Sequence, residues 1–280
     1  MSGVTESRKQ QPLSLLTVAM ALCASLYAVG SYATAYIPSP WGVGQFRPAV
    51  VIPAFFATIF GPMPAAIGAA MGTLIADSIK HGYLYPGSYL AAVPGNFIGF
   101  YLFGYIVKKK FNWSRFILAS NITLTIANLI VAFLYIFAFK VLWASALSMP
   151  LADLTFFSIG LTIWWFVTML PFVLLVTPPL IRAVAVAVPS IVPDDVRTHS
   201  LMKELPKTTF SLAMLVPGLI MLLVGFATTY TDVGVYLSTT FKEPIPALIE
   251  LMFYVSGIAL TCLGIVIYAG KRIYFNVAKG

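Results

Sequence analysis

Charged residues are scarce in this sequence: they make up 9% of its 280 residues, whereas 60% are hydrophobic. A soluble domain of this length needs a charged surface, so the mean hydropathy of +0.92 indicates a polytopic helical membrane protein. Cysteine is nearly absent as well. Cys23 and Cys262 lie far apart within apolar segments, which argues against a disulfide framework and against a metal cluster.

The sequence also lacks the short motifs of common catalytic sites. It contains no Gly-x-x-x-x-Gly-Lys-Ser/Thr phosphate loop, no His-Glu-x-x-His, no Gly-x-Ser-x-Gly and no Cys-x-x-Cys. The acidic residues near the apolar segments are scattered rather than paired. We therefore expect that the chain does not hydrolyse ATP itself, is not an enzyme, and requires no cofactor or metal.

Long apolar runs predict the membrane segments. A signal-peptidase-like site, Ala33-Thr34-Ala35, follows the first run, but that run is longer than a signal core of 7–15 residues, so we expect it to be retained. The predicted segments are eight in number and cover roughly residues 13–36, 48–60, 63–79, 88–107, 116–139, 153–181, 208–230 and 246–270.

Basic residues are distributed unevenly between the connections. With the N-terminus inside, all of the 17 Lys and Arg residues except Arg47, Lys80, Lys140 and Lys242 fall on the cytoplasmic side. This asymmetry follows the positive-inside rule. The net charge of +8 is therefore explained by the orientation of the chain in the membrane and by contact with anionic lipid rather than by nucleic-acid binding. We expect a multi-pass cell-membrane protein with both termini in the cytoplasm.

The most specific feature is an apolar hairpin at residues 46–79 that is interrupted by four prolines. Such spacing predicts two helices joined at Gly61-Pro62 rather than one spanning helix. The first arm, 48–60, would reach about 20 Å, which is short of the roughly 30 Å hydrocarbon thickness. The outer loop 38–47 is therefore expected to dip inward and close a cavity, although anchoring at the membrane interface is the alternative. The second arm carries small residues at three- and four-residue steps, which favour close helix packing.

Polar and aromatic side chains near the outer ends of the segments are candidates for a solute pocket. Each has an ordinary alternative: interfacial anchoring for the aromatic residues, helix capping for Asp77 and Asp153, and interhelical hydrogen bonding for the asparagines. The candidates for contact with a solute are Trp41, Arg47, Asp77, Tyr85, Tyr89, Asn96, Asn128, Asp153 and Trp164.

Residues 13–182 resemble the substrate-binding S components of energy-coupling factor transporters. The resemblance is carried by the first helix, AMALCASLYAVGSYA, and by FRPAVVIPAFFATIFGPMPAAIGAAMGTLIADSI, with its Pro-rich helix, Phe-Gly-Pro corner and small-residue helix. It implies a six-helix membrane unit that captures a vitamin or other micronutrient from outside, with the solute among the outer loops and helices four to six. It further implies docking on a T component and two ATPase subunits, with Ala24 and Ala28 contacting the T component.

The expected architecture is an all-α polytopic membrane bundle. It comprises a six-helix S-component-like unit at 1–182, a cytoplasmic linker at 183–207, and two additional transmembrane helices at 208–280. The alternative function is a self-sufficient secondary transporter, in which Asp77 or Asp153 would couple ion movement. Such transporters commonly contain two similar halves, but the hairpin at 48–79 has no counterpart in residues 116–280.

Overall fold

The computed structural model describes residues 11–240, 242 and 244–277. Every regular element within these residues is a helix, which confirms the predicted all-α fold. The predicted cytoplasmic ends, residues 1–10 and 278–280, lie outside the described residues. In chain order the helices are α1 (Leu13–Ala33), α2 (Val51–Phe60), α3 (Pro62–His81), α4 (Val93–Lys108), α5 (Trp113–Phe133), α6 (Leu151–Ala187), α7 (Asp194–Thr198), α8 (Leu201–Glu204), α9 (Lys207–Tyr230), α10 (Asp232–Thr240) and α11 (Ile245–Val277).

Short 3₁₀- or π-helical turns extend three of these helices. A short 3₁₀ turn, Pro48–Val50, leads into α2, while π-helical turns at Ser88–Ala92 and Leu134–Trp143 precede α4 and continue α5. Within the described residues, six helical stretches are long and apolar enough to cross a membrane, which shows a multi-pass membrane bundle. They are Leu13–Ala33, Ser88–Lys108, Trp113–Trp143, Leu151–Ala187, Lys207–Tyr230 and Ile245–Gly270.

The predicted hairpin is formed by α2 and α3, which meet at Gly61. Gly61 has φ +87° and ψ −168°, a conformation that L side chains rarely adopt, and Pro62 begins the next helix. A Cβ added to Gly104 of α4 would lie 2.5 Å from the Pro62 Cα, so this corner is packed closely against α4. Helix α3 ends at His81, and the following Gly82, which has φ +78°, donates its backbone N–H to Ser78 O at 2.9 Å.

The small residues of α3 allow α1 to approach closely. A Cβ added to Gly68 would lie 2.4 Å from the Cys23 Cβ, and one added to Gly72 would lie 2.7 Å from the Ala24 backbone oxygen. Close backbone approach is the role that small residues commonly play between membrane helices. The predicted small-residue stripe therefore packs against the first helix.

Helix α6 is longer than the predicted segment 153–181 and continues to Ala187. Pro178 and Pro179 do not end it, because membrane helices tolerate proline where neighbouring groups compensate for the lost backbone hydrogen bond. The Arg182 guanidinium donates to the backbone oxygen of Arg197 at 2.8 Å. The following connection is thus folded back against the end of α6.

Helices α9 and α11 pack mainly on each other and touch α5 and α6 more sparsely. A Cβ added to Gly218 would lie 2.7 Å from the Thr261 backbone nitrogen, so the two backbones are in close contact. The Ser211 hydroxyl donates to the Gly264 backbone oxygen at 2.6 Å. The last two long helices therefore form a tight pair beside the first six segments, joined at one end by the short helix α10.

Candidate functional site

A cavity of about 280 Å³ lies at the end of the bundle that carries the loops 34–47 and 82–87, called the cavity end below. Its walls come from α1, α3, α4, α5 and α6 together with both loops. Polar and aromatic side chains make up much of its lining. They are Tyr27, Gln45, Arg47, Asp77, Lys80, His81, Tyr85, Ser88, Asn96, Asn128, Tyr135, Lys140 and Trp165.

Loop 34–47 is closed by a bond between its own two ends and is held across the cavity end by α6. The Thr34 hydroxyl donates to Phe46 O at 2.8 Å, and the Trp165 indole N–H donates to Gln45 O at 3.0 Å. Gly44 has φ +75°, and a Cβ there would lie 2.8 Å from the Trp165 ring, so only glycine fits this approach. The loop thus packs inward and supplies part of the cavity wall, as the short first arm of the hairpin predicts.

A buried ion pair forms the polar centre of the cavity. The Arg47 Nη2 lies 2.5 Å from the Asp77 Oδ1, and the two side chains are only 9% and 6% exposed. The same oxygen accepts a bond of 2.5 Å from the Gln45 amide, while Oδ2 accepts one from the Ser88 hydroxyl. Arg47 also donates to the Thr73 hydroxyl. Both oxygens of Asp77 are therefore engaged within the protein, and its charge is compensated by Arg47.

Two further cations, Lys80 and Lys140, line the cavity and are half-buried. The Lys80 ammonium donates to Ala35 O at 2.5 Å and to the Gln45 Oε1 at 2.9 Å. The Lys140 ammonium lies 5.6 Å from the centre of the Tyr135 ring, within cation–π range. Within the part of the chain that the structure describes, no carboxylate lies within 4.0 Å of either ammonium.

Aromatic rings form another part of the wall. His81 and Tyr85 stack with their centroids 3.8 Å apart and an interplanar angle of 3°. The Tyr85 and Tyr135 hydroxyls lie 3.0 Å apart and share a hydrogen bond. Burial raises the pKa of the Tyr85 phenol above its ordinary value, so this group remains neutral at physiological pH. The tyrosine pair can therefore donate or accept a hydrogen bond without adding charge.

Two asparagines lie deeper along the cavity. Asn128 is buried, and its Nδ2 lies 3.7 Å from the Met169 Sδ, which is a weak acceptor. Asn96 is half-buried on α4. Amides at this position retain hydrogen-bonding capacity that a bound solute could use.

The structure brings five of the nine predicted solute contacts to one cavity: Arg47, Asp77, Tyr85, Asn96 and Asn128. The other four lie outside its lining. Trp41 packs on Phe157 at 6.0 Å, Tyr89 is 61% exposed, Asp153 accepts a hydrogen bond from Tyr236, and Trp164 is buried elsewhere on α6.

The cavity also contains residues that the sequence prediction missed. Trp165 lines the cavity, whereas its neighbour Trp164 points about 100° away around α6 and lies outside the lining. Lys80 and Lys140 could have been predicted from the sequence, because both are exceptions to the positive-inside distribution. No sequence pattern distinguishes Gln45 or Ser88 as a cavity residue.

The predicted docking residues on α1 differ in exposure. Ala28 is buried, at 5% exposure, whereas Ala24 is half-buried and lies beside Gly68 and Gly72 of α3. Their contact with a T component stays a prediction. Among the described residues no group of three or more His, Cys, Asp or Glu side chains could hold a metal ion. Cys23 is buried and Cys262 is exposed.

No family model matches the sequence, and neither a curated protein nor a solved structure matches it. What the structure shows is an all-α membrane bundle with six long apolar helices and a polar cavity at one end, an architecture consistent with a membrane transporter.

Proposed function

We propose that the protein is the substrate-capture subunit of an energy-coupling factor importer, and that it binds a small vitamin-like solute from outside the cell. The observation that carries the proposal is the cavity at one end of the bundle, whose polar lining surrounds the Arg47–Asp77 pair. Binding sites for small molecules are concave, with a few convergent polar groups among apolar and aromatic walls. Delivery into the cell would then depend on the T component and two ATPase subunits.

The packing at the opposite end of the bundle supports capture rather than passage through an open channel. Phe103 of α4 and Trp113 of α5 both pack on Phe116, and all three side chains are at most 1% exposed. Large aromatic side chains at interior packing density leave little room for a water-filled path. A solute bound at the cavity end would therefore need a further conformational step to reach the other side.

The hairpin of α2 and α3 and the first helix supply the second line of support. Their order and spacing resemble the S components, and the structure pairs α1 closely with α3 through Gly68 and Gly72. In this proposal the cavity end faces outward and the Gly61 corner faces the cytoplasm. Helices α9 and α11 are an addition to the six-helix unit.

A self-sufficient secondary transporter is the alternative, and the buried carboxylate of Asp77 is the feature that favours it. Ionisable groups inside membrane bundles commonly mark ion or proton pathways. Asp77 would have to release Arg47 and change its protonation state during each cycle. Its two engaged oxygens and its compensating guanidinium instead favour a fixed structural charge.

Transport by the purified chain alone separates these functions. The chain is reconstituted in liposomes and incubated with radiolabelled thiamine, riboflavin or biotin, with and without an imposed proton or sodium gradient. Capture predicts that bound label never exceeds the number of chains and does not respond to the gradient. Gradient-driven accumulation inside the liposomes would overturn the proposal and favour the secondary transporter.

A further inference from the structure

We propose that the solute of this cavity is a small organic anion whose negative charge is balanced by Lys80 and Lys140. The inference rests on the proposed function, because it assumes that the cavity receives a solute. It goes further by selecting the charge of that solute. Three observations carry it: the engagement of Asp77, the two remaining cations, and the position of these cations in the chain.

The negative charge of Asp77 is already neutralised within the protein and is not available to pair with a bound cation. Among the described residues it is the only carboxylate that lines the cavity. Its Oδ1 accepts bonds from Arg47 and Gln45, and its Oδ2 accepts one from Ser88. A cationic solute would therefore have to displace these donors before it could pair with Asp77, at the cost of leaving Arg47 buried and uncompensated.

Lys80 and Lys140 leave the cavity with an excess of positive charge. Arg47 is matched by Asp77, but neither lysine has a carboxylate within 4.0 Å in the described part of the chain. Lys80 bonds to two neutral oxygens, and Lys140 lies beside aromatic rings. Half-buried ammonium groups are screened less than groups at an open surface, so they attract an anion and oppose a cation.

The cations of the cavity lie on the predicted outer side of the membrane, where basic residues are otherwise rare in this chain. Under the predicted topology only four Lys and Arg residues lie outside, and three of them, Arg47, Lys80 and Lys140, line this one cavity. Charges that oppose the positive-inside distribution are not explained by membrane orientation. The Trp165 ring and the stacked His81–Tyr85 pair supply apolar faces for the uncharged part of the same molecule.

Quenching of Trp165 fluorescence tests the charge of the cavity without knowledge of the natural solute. The full chain is purified in a nonionic detergent and carries Trp143→Phe, because Trp143 is exposed and would dominate the signal. It also carries Trp41→Phe, because Trp41 lies in the loop that Trp165 holds. The contribution of Trp165 is the difference from the same chain with Trp165→Phe added. Iodide, caesium and acrylamide serve as the anionic, cationic and neutral quenchers at equal ionic strength.

Each quenching constant is first divided by that of free N-acetyltryptophanamide in the same buffer, because iodide is intrinsically the stronger quencher. The proposal predicts that the normalised constant of Trp165 is roughly threefold larger for iodide than for caesium at low ionic strength. Added salt should reduce the difference as the Debye length falls. The preference should fall in Lys80→Met and in Lys140→Met and disappear when the two substitutions are combined. Lys109→Met is the matched control, since Lys109 lies at the opposite end over the Tyr105 ring, and it should leave the preference unchanged.

The remaining outcomes separate failure of this inference from failure of the proposed function. Equal or stronger quenching by caesium would overturn the anion assignment and leave solute capture standing, as would quenching by acrylamide alone. An iodide preference that survives both lysine substitutions would also overturn it. If none of the three quenchers reaches Trp165, the cavity is closed to solutes, and the capture function is contradicted as well.

Discussion

The buried carboxylate of Asp77 is stabilised by the groups that surround it. An ionised carboxylate loses several kcal/mol of hydration on burial, and that loss is offset only by a close counter-ion and further hydrogen bonds. Arg47, Gln45 and Ser88 supply these bonds, which link the loop 34–47 and residue 88 to α3. The pair therefore holds the cavity wall together.

Removal of one partner of the Arg47–Asp77 pair should lower the free energy of unfolding much more than removal of both partners. Asp77→Ala leaves the Arg47 guanidinium buried without a counter-ion, and we expect the free energy of unfolding to fall by about 3–5 kcal/mol. The double variant Arg47→Met with Asp77→Leu should recover most of that loss, because apolar side chains replace the pair. Thermal unfolding in detergent measures both changes.

Asp194→Ala is the matched control for this experiment. Asp194 pairs with Arg197 at 2.5 Å, but the Asp194 side chain is 84% exposed, so its loss should change the free energy of unfolding by at most about 1 kcal/mol. An Asp77→Ala variant as stable as Asp194→Ala would contradict the structural role assigned to the buried pair.

Prediction of individual site residues depended on how much local pattern each one carried. Arg47 and Asp77 stood out because charges are rare beside membrane segments, and both line the cavity. Asp153 stood out for the same reason, yet its partner is Tyr236, a contact between distant parts of the chain that no local pattern could reveal. Gln45 was missed because an amide in a loop has many ordinary roles.

The loop 34–47 is ordered by contacts within itself and with α3 and α6. Pro38 and Gln45 form an isolated β-bridge, and Trp41 is buried against Gly160 of α6, where an added Cβ would lie 2.5 Å from its ring. The Trp165 indole holds the loop at Gln45 O. Together with the bonds of Gln45 and Arg47 to Asp77, these contacts make the loop a fixed part of the cavity wall.

Trp165→Phe should loosen this loop selectively. The substitution removes the hydrogen bond to Gln45 O, which is worth about 1 kcal/mol, so amide exchange over residues 38–46 should accelerate roughly fivefold. Hydrogen–deuterium exchange with mass spectrometry measures the rate. Trp164→Phe is the control, because Trp164 lies outside the cavity lining. Equal exchange in the two variants would show that Trp165 does not restrain the loop.

The elements themselves were largely predictable, and the exceptions have physical causes. The Gly61 corner and both arms of the hairpin follow from proline placement and segment length. The end of α6 does not, because Pro178 and Pro179 stop a helix in water more readily than in a packed membrane bundle. The short helix α10 was also missed, since its nine residues lack a long apolar run.

The whole molecule combines a cavity at one end with basic connections at the other. Lys108, Lys109 and Lys110 are exposed beside the start of α5, at the end opposite the cavity. The positive-inside rule predicts that this basic end faces the cytoplasm and that the cavity faces outward. Capture of an external solute requires this orientation.

Cysteine labelling in intact cells tests the orientation. In a Cys262→Ser background, Tyr83→Cys at the cavity end should react with a membrane-impermeant maleimide added outside, because Tyr83 is 58% exposed. Lys109→Cys at the opposite end should react only after the cells are permeabilised. The reverse pattern would place the cavity in the cytoplasm and contradict uptake from outside.

Native mass spectrometry of the purified full chain tests solute capture most directly. We predict that the chain retains one small molecule that is released on denaturation, and that Asn96→Trp, which fills the cavity from α4, abolishes this retention. Ile98→Trp on the exposed face of the same helix should retain the molecule, because Ile98 is 46% exposed and lies outside the cavity lining. A chain that carries no small molecule, or one that Asn96→Trp retains equally well, would contradict capture in this cavity.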